Sequence, residues 1–501
     1  MNFCRFRGTV CIFRHLRKNS RGVSSKQNMK DLAEKFDFDL DKSVYDAIKT
    51  GTVKTRHHPG KQEKGMVSLP ERLVKASACI LADHPSKTLL SDANKLANYI
   101  RSRHPPLEGE EYTKKVQTVE EDIVQKEFMR ITLPGIPDQE MKRLMDSKKD
   151  KIENKLKREV YNWKPITYNE YRSLVYIVAR MAPDYASLIN ILSEIKKRDK
   201  EFTPLTMLDF GSGVGTSMWA MDSNWPNRCK EVVCVDSSVD MNNIADKLLR
   251  GGNIKDEPLV RKGGTFFKQY LPMSDTLKYD LVISSRSLFE LPDMISRLRT
   301  IDVLWRKTNG YLVIVEAGTN AGYKLVLEAR DYILALSSKS EEDDINLHGH
   351  VFSPCSHDKF CPRYLDGKYI PCNFEVSYRP HTFHNNAKLQ KDRYCYVVMR
   401  KGKRDVGENY PRMLQDAMLR KKHIICELCT KYGTIQTLTA TKRKHSKECY
   451  DVLKYSRGGD LLPIVIPEWK QKINPSDREY SECDMVGNNR FSNEEKREEA
   501  N

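Results

Sequence analysis

The sequence has 501 residues, of which 39% are hydrophobic and 31% charged, as expected of a globular protein with two or three domains. It contains no uninterrupted apolar run of about eighteen residues, which argues against a membrane-spanning helix. Lys and Arg outnumber Asp and Glu by 85 to 68, and the net charge of +17 favours polyanionic partners, of which RNA is the commonest. The alternative is a generally basic surface that is matched to its compartment.

The first thirty residues have the features of a mitochondrial transit peptide. Residues 1–30 contain eight Lys and Arg and neither Asp nor Glu. Phe3, Phe6, Val10 and Phe13 recur at helical spacing, so a helix here would have one apolar face. An Arg-rich, Ser-bearing segment without a long apolar stretch predicts import into the mitochondrial matrix rather than secretion. The alternative is a basic arm that binds RNA directly.

Residues 31–200 are predicted to be mainly helical. The stretch ITYNEYRSLVYIVARMAPDYASLINILSEI at 166–195 shows apolar periodicity and should pack against the elements that come next in the chain. From Thr206 onwards the pattern changes to short apolar, β-rich runs separated by helical segments, namely TMLDF, EVVCVD, YDLVISS and GYLVIVEAG. Such alternation predicts an α/β fold with a parallel, doubly wound sheet in residues 201–410.

A Cys-rich insertion at 341–373 interrupts the sheet pattern, which then resumes in FEVSY and RYCYVVMRKG. Residues 411–470 are predicted to form a small β-rich appendage, with HIICELC, GTIQTLTAT and CYDVLKYS as short strands. The final segment, 471–501, is polar and is expected to be disordered.

A glycine-rich loop, LDFGSGVGTSMWA at 208–220, follows the first predicted strand of the sheet and opens a predicted helix. Gly211, Gly213 and Gly215 allow the backbone to turn tightly and to approach a ligand, while the helix N-terminus offers free N–H groups. A dinucleotide-binding fingerprint needs another glycine where Thr216 stands, so nicotinamide binding fits this loop poorly.

The loop instead resembles motif I of class I S-adenosylmethionine-dependent methyltransferases, an acid followed by Gly-x-Gly-x-Gly. In that class the acid, here Asp209, lies near the amino-acid part of the cofactor. A second acid at the end of the next strand holds the ribose hydroxyls, and Asp236 in VVCVDSS stands roughly twenty residues further on. The resemblance implies a Rossmann-like methyltransferase domain whose cofactor-binding residues are Asp209, Gly211, Gly213, Gly215 and Asp236.

No residue of the sequence is assigned as the catalyst of a methyl transfer. Base-amine methyltransferases commonly end the fourth strand with Asn/Asp-Pro-Pro-aromatic, whereas this strand ends ISSRSLFELPD at 283–293. Pro371-Cys372 resembles the Pro-Cys of cytosine-C5 methyltransferases, but it falls after the fifth strand. Ser285 and Arg286 could touch a substrate, although capping of the strand end is the favoured explanation.

The segment HVFSPCSHDKFCPRYLDGKYIPC contains Cys355, Cys361 and Cys372, and HIICELC adds Cys426 and Cys429. Because the thirteen cysteines are odd in number and no secretory signal is present, a disulfide framework is not expected. Structural zinc sites usually contain close Cys pairs, and of these five only 426/429 has that spacing. Three widely spaced cysteines with a distant fourth suit an iron–sulfur cluster wrapped by a loop. The spacing leaves a cluster, a zinc site and unrelated free thiols as open alternatives.

Five motifs taken together resemble one family: LDFGSGVGT, VEAGTNAGYKLVLEARDYIL, GHVFSPCSHDKFCP, PC and ICELC. This is the mitochondrial small-subunit ribosome-assembly family of methyltransferase-like protein 17 and its bacterial relatives. The similarity extends from about Tyr168 to Leu462. The family couples a class I methyltransferase fold to a 4Fe–4S cluster held by four cysteines.

The resemblance implies three cluster ligands in the insertion, Cys355, Cys361 and Cys372. The family's fourth ligand stands just before a short turn that ends in glycine. In ICELCTKYG this description points to Cys429, and Cys426 is the alternative.

The resemblance also implies that the protein is an assembly factor of the small ribosomal subunit and that mitochondrial translation requires it. Such a factor binds the rRNA of the immature subunit, between its head and its body. The matrix address and the basic charge excess agree with this, as do the basic clusters Arg420–Lys422 and Lys442–Lys444. We expect a monomer, with neither DNA nor a membrane as a partner. The alternative function is an S-adenosylmethionine-dependent rRNA methyltransferase, against which the missing fourth-strand motif counts.

Overall fold

A computed structural model describes residues 38–62, 65–105, 113–121, 165–259, 264–339 except 273 and 275, 347–366, 370–381, 389–404 and 410–466, together with parts of 143–155. The predicted transit peptide and the predicted disordered tail lie outside the described residues. Much of the chain between 106 and 164 and the start of the Cys-rich insertion also lie outside them. Within the described part of the chain, no helix combines the length and the apolar character needed to cross a membrane.

The strands are β1 Asp39–Leu40, β2 Met66–Val67, β3 Thr206–Phe210, β4 Glu231–Val235, β5 Thr265–Lys268, β6 Tyr279–Ser285, β7 Thr308–Ala317, β8 Gly349–Ser353, β9 Phe374–Tyr378, β10 Gln390–Lys401, β11 Arg412–Met413, β12 Met418–Leu419, β13 Ile424–Cys429, β14 Ile435–Ala440 and β15 Ile464–Val465. The helices are α1 Lys42–Lys49, α2 Glu71–Leu81, α3 Ser86–Ser102, α4 Glu170–Tyr176, α5 Ala182–Arg198, α6 Thr216–Asn224, α7 Val239–Leu249, α8 Met294–Arg306, α9 Asn320–Lys339, α10 Pro362–Leu365 and α11 Lys447–Tyr455.

Nine of the described strands form one sheet, in the order β2-β9-β10-β7-β6-β3-β4-β5, with β8 also paired to β10. The strands from β3 to β7 are parallel, and β10 runs antiparallel to β7, β8 and β9. The chain winds from β3 outward to β5 and then returns to β6 on the other side of β3. This order confirms the predicted doubly wound α/β fold, and it puts the crevice expected for a ligand at the carboxyl ends of β3 and β6.

Alternate side chains of the central strands face two separate hydrophobic cores. On β3, Met207 packs in the first core and Leu208 in the second. On β7, Val313 and Leu312 divide in the same way. Both faces of the parallel sheet are therefore covered, which explains why these strands are continuous apolar runs in the sequence.

The helical segment before the sheet is continuous from α4 through a π-helical turn, Ile177–Met181, into α5. Asn169 caps it, because its side chain accepts a hydrogen bond from the Arg172 N–H at 2.9 Å. In α5 the residues from Ala182 to Ile195 are almost all buried, in the first core. The structure thus confirms the packed helix predicted at 166–195.

The C-terminal appendage is a small sheet in which β13 pairs with β11, β12 and β14. The strand β1 pairs with β15, and Lys61 Nζ lies 2.8 Å from the carboxylate of Asp460. Residues 38–62 therefore pack with the appendage, although the sequence placed them in the N-terminal helical region. Their separate core includes Phe38 and Met413.

The prediction of a strand at CYDVLKYS is wrong, because this segment forms the helix α11. Ser446 caps the helix by accepting a hydrogen bond from the Cys449 N–H at 3.1 Å. Cys449, Val452 and Leu453 are buried, and their spacing of three and four residues is that of one helix face. The helix cap at Ser446 and the buried helix face outweighed the β-favouring composition of the segment.

Candidate functional site

The glycine loop connects β3 to α6 and takes a backbone conformation that suits glycine. Gly211 has φ +69°, and a Cβ there would lie 2.0 Å from Ser287 Oγ. Gly213 has φ +50°, and no described atom lies within 4 Å of where its Cβ would be. The loop is therefore packed closely at its first glycine and open at its second.

Asp236, which the sequence predicted as a cofactor-binding residue, lies against this loop. Its carboxylate accepts hydrogen bonds from the Gly213 N–H and from the Ser238 N–H, each at 2.9 Å. Burial raises the pKa of Asp236, and the two backbone donors lower it. The carboxyl end of β4 and the glycine loop are thus held together at the crevice.

Asp209 is completely buried in β3. Burial raises its pKa to about 7; Ser217 opposes part of this rise, and the Asp236 carboxylate adds to it. No donor in the described part of the chain has hydrogen-bond geometry to either of its oxygens. A buried carboxyl group in this condition is an available partner for a polar ligand group.

Sequence reasoning missed a segment that crosses the crevice, residues 165–169. The Ser238 hydroxyl donates to the Tyr168 carbonyl at 2.9 Å, and the Ile166 N–H donates to Glu290 Oε2 at 2.9 Å. Burial raises the pKa of the Tyr168 hydroxyl, and Glu290 raises it further. The only signal in the sequence was that the family similarity begins at this tyrosine.

Four of the predicted cysteines line one cavity, although they come from separate elements. Cys355 follows β8, Cys361 precedes α10 and Cys372 precedes β9, whereas Cys429 ends β13 in the appendage. The cavity measures about 10 Å³, roughly the space of one water molecule. Among the described residues, no three His, Cys, Asp or Glu side chains are arranged to hold a metal ion.

Cys426 does not line this cavity. It lies three residues before Cys429 on β13, so the two side chains point to opposite faces of the sheet. Its neighbours are those of the appendage core, including Cys449 and Leu438. Burial raises the pKa of Cys426 to about 12, and Cys449 adds to this.

The thiols of the cavity are strongly desolvated. Burial raises the pKa of Cys355 to about 11. Burial also raises the pKa of Cys372 and of Cys429, and nearby thiols raise both further. Without a bound cation, Cys355, Cys372 and Cys429 hold their protons at neutral pH, and a metal ion would have to displace those protons.

Two side chains contact the cysteine sulfurs directly. The Tyr323 hydroxyl of α9 lies 3.1 Å from Cys361 Sγ, and His357 Nε2 lies 3.3 Å from Cys429 Sγ. The histidine thus contacts one of the predicted cluster ligands. Groups in such positions orient metal-binding side chains.

Buried arginines hold the cysteine loop from several elements, and sequence reasoning missed them. Arg330 of α9 donates to the carbonyls of His357 and Lys359, at 3.3 and 2.5 Å. Arg363 of α10 pairs with Glu427 of β13, at 2.8 and 3.3 Å. Their positive charges lie beside thiols that would carry negative charge as metal ligands.

The sheet order and the glycine loop define a protein with a class I S-adenosylmethionine methyltransferase fold, into which a cysteine-bearing loop is inserted. A family model described as "Mitochondrial small ribosomal subunit Rsm22" matches residues 170–463. The chain belongs to this family, which confirms the resemblance seen in the sequence.

Relatives in several organisms support this assignment. The human "Ribosome assembly protein METTL17, mitochondrial" is 34% identical over 412 residues, which is 82% of this chain and 86% of that protein. "Ribosome assembly protein RSM22, mitochondrial" of Saccharomyces cerevisiae is 19% identical, over 57% of this chain and 66% of that protein. Both names include the word mitochondrial, which confirms the predicted location.

Among solved structures, the chain is similar to the magnesium protoporphyrin IX methyltransferase ChlM from Synechocystis PCC 6803. It is 13% identical with a TM-score of 0.28, over 54% of this chain and 100% of that one. The fold is defined by the strand order and the glycine loop.

Proposed function

We propose that the protein is an assembly factor of the mitochondrial small ribosomal subunit, that it binds rRNA of the immature subunit in the matrix, and that it carries a structural 4Fe–4S cluster. One observation carries the proposal: four cysteines from the insertion and the appendage line a single cavity. The name of the human relative, a ribosome assembly protein, supports the role in assembly.

The cluster would be held by Cys355, Cys361, Cys372 and Cys429. The donor set fits such a group, because iron–sulfur clusters are held by four thiolates and buried arginines lie around these thiols. When bound, the cluster supplies metal–thiolate bonds between the insertion and the appendage. The cysteines and arginines of the chain thereby hold the appendage in one orientation on the methyltransferase domain.

The appendage offers a surface for RNA, which we call the basic end. In the register of the small sheet, Ile424 at the start of β13 pairs with both Leu419 and Ala440. The clusters Arg420–Lys422 and Lys442–Lys444 follow these partners, so both lie at the same end of the sheet, and all six side chains are exposed. This end lies about 17 Å along β13 from Cys429. Contacts to phosphates from such residues give affinity that depends on salt and little on sequence.

The test begins with protein lacking residues 1–30, purified anaerobically, in which iron, acid-labile sulfide and zinc are measured. We expect about four irons and four sulfides per chain. The same protein, and a variant with Cys355→Ser and Cys361→Ser, would then be titrated with small-subunit rRNA. One zinc without sulfide contradicts the cluster, and a variant that matches the wild type in RNA affinity and thermal stability contradicts its structural role.

A second function, S-adenosylmethionine binding with or without methyl transfer to rRNA, is favoured by the hydrogen bond between Gly213 and Asp236. The cofactor, when bound, supplies a transferable methyl group. Asp209 and Asp236 would bind its polar ends, and the open side of Gly213 would leave room for it. Calorimetry with S-adenosylmethionine on the wild type and on Asp236→Ala tests binding. If Asp236→Ala loses binding and rRNA methylation in mitochondria is unchanged, the enzymatic alternative fails.

A further inference from the structure

A second, larger cavity lies at the carboxyl ends of β6 and β7, away from the cysteines. Its volume is about 320 Å³, and its walls come from α3, the π-helical turn, the loop before α9 and the start of β10. Five of its lining side chains are cationic: Arg101, Arg180, Arg286, Lys391 and Arg393. Ligands of open α/β sheets bind at this edge of the sheet.

The inner wall of the cavity contains more positive than negative charge. Arg180 lies 2.5 Å from an oxygen of Asp184 and 3.0 Å from one of Asp392. Arg286 shares the same two carboxylates, at 3.1 and 3.5 Å. Arg101 lies 4.0 Å from an oxygen of Asp392. Three guanidinium groups therefore share two carboxylates, and the side chains of Arg180 and Arg286 are no more than 9% exposed.

On the outer wall, two cations share one carboxylate. Lys391 Nζ lies 2.5 Å from one oxygen of Glu375, and Arg393 Nε lies 3.6 Å from the other. Five cations of the cavity thus face three carboxylates. The two buried arginines are matched by two carboxylates, so the excess positive charge lies on Arg101, Lys391 and Arg393. These side chains are 60–66% exposed, and their charge attracts anions.

Two departures from regular backbone bring arginines to this cavity. Arg286 has φ +61°, a conformation that a residue with a side chain rarely adopts. Arg180 lies in the π-helical turn, and such turns occur often at functional sites. The helix α9 begins just after Thr319, which also lines the cavity, so its positive end adds to the same field.

We propose that this cavity binds the phosphate group of a nucleotide, either within an RNA strand or free. Guanidinium groups match phosphate oxygens in charge and in geometry, and the volume accommodates a nucleotide-sized group. The part of the proposal that concerns RNA rests on the rRNA binding proposed above, and the part that concerns free nucleotides does not. In both cases Arg286, at the end of the fourth parallel strand, contacts a ligand rather than only closing the strand.

The experiment replaces exposed cations of the cavity rather than those inside the ion network. In the variant Arg101→Gln/Arg393→Gln, both side chains are about two-thirds exposed, at 66% and 65%. The matched control is Arg228→Gln/Lys230→Gln, which removes the same charge from the exposed segment before β4. Inorganic phosphate, uridine 5′-monophosphate and a short single-stranded RNA are titrated by calorimetry into full-length protein at constant ionic strength.

We expect phosphate or uridine 5′-monophosphate to bind the wild type and the control alike, and the cavity variant about tenfold more weakly. If only RNA binds, and the cavity variant again binds it about tenfold more weakly than the control, the phosphate belongs to RNA. Ligand binding that is equal in both variants overturns the inference but leaves the proposed function intact. A wild type that binds uridine 5′-monophosphate and not RNA supports the cavity and contradicts the rRNA proposal. If none of the three probes binds, both proposals fail.

Discussion

Arg412, on the first strand of the appendage, donates hydrogen bonds to both carboxylate oxygens of Glu194 in α5, at 2.6 and 3.2 Å. Both side chains are almost completely buried. The same guanidinium donates to the Pro354 carbonyl at 2.7 Å, next to Cys355. One side chain thus connects the helix beside the sheet, the cysteine loop and the appendage.

Replacing Arg412 by Met should destabilise the folded protein by about 3 kcal/mol, because the buried Glu194 carboxylate would keep only Arg198 as a charged partner. The double variant Arg412→Met/Glu194→Gln should recover much of this loss. The free energy of unfolding in urea, measured for both variants and the wild type, checks this. A single variant within about 1 kcal/mol of the wild type would show that the pair does not connect these parts.

The Arg412–Glu194 pair also predicts that the stability of the folded protein decreases at acidic pH. Burial by itself would raise the pKa of Glu194, but Arg412 and Arg198 outweigh it and lower the pKa to about 2. A carboxyl group with a lowered pKa contributes stability above its usual value of 4.5, and this contribution is lost as the pH falls toward 2. The stability advantage of the wild type over Glu194→Gln should therefore shrink between about pH 5 and pH 2.5. An advantage that stays constant over this range contradicts the prediction.

The two cysteines of β13 form a matched pair of variants. Cys429→Ser should lower the iron content to less than about half and reduce the melting temperature, because a cluster ligand is lost. Cys426→Ser, which replaces another buried thiol on the same strand, should keep its iron. Iron and sulfide per chain, measured on anaerobically purified proteins, distinguish the two. Equal iron contents would remove Cys429 from the ligand set.

Asp209→Asn should stabilise the protein more at pH 8 than at pH 5. Burial raises the pKa of Asp209 to about 7, whereas the unfolded chain has the usual value of 3.8. The folded state therefore holds a proton that the unfolded state releases, and stability is lost as the pH rises from about 4 to about 7. The asparagine variant lacks this loss. Melting temperatures of both proteins at the two pH values check the prediction, and a pH-independent difference would contradict it.

The basic end should contribute to RNA affinity through charge alone. Lys421→Glu/Arg443→Glu should weaken binding to single-stranded rRNA and reduce the salt dependence by about 0.7 for each phosphate that is no longer neutralised. The control Lys87→Glu/Lys200→Glu makes the same change of charge on exposed lysines of the N-terminal helical region. Binding measured at several salt concentrations gives both quantities. A control that loses as much affinity as the variant would show only an effect of total charge.

The strands and the glycine loop were predictable because their signals are local. The runs TMLDF and EVVCVD became β3 and β4, and Asp236 reached the loop because parallel strands end at the same edge of the sheet. In α11 the local signal was misread. Its β-favouring residues stood out in the sequence, while its cap at Ser446 and its buried face were overlooked.

The surroundings of the cysteines could not be predicted in this way. Arg412 and Glu194 are 218 positions apart, and no pattern in either segment indicates the other. The place of Cys429 depends on the pairing of β13 with β11, which puts its side chain on the face away from the appendage core. Such long-range contacts depend on how whole helices and strands pack together, and the spacing of residues in the sequence does not predict them.

The pairing of β1 with β15 has a consequence for the order in which the molecule forms. Among the described strands, Asp39–Leu40 pairs with Ile464–Val465, which comes more than four hundred residues later in the chain. A growing or partly imported chain thus exposes the edge of β1 until nearly all of its sequence is present. A chain shortened before residue 464 leaves the same edge open, and in both cases the appendage that carries Cys429 stays unfinished until last.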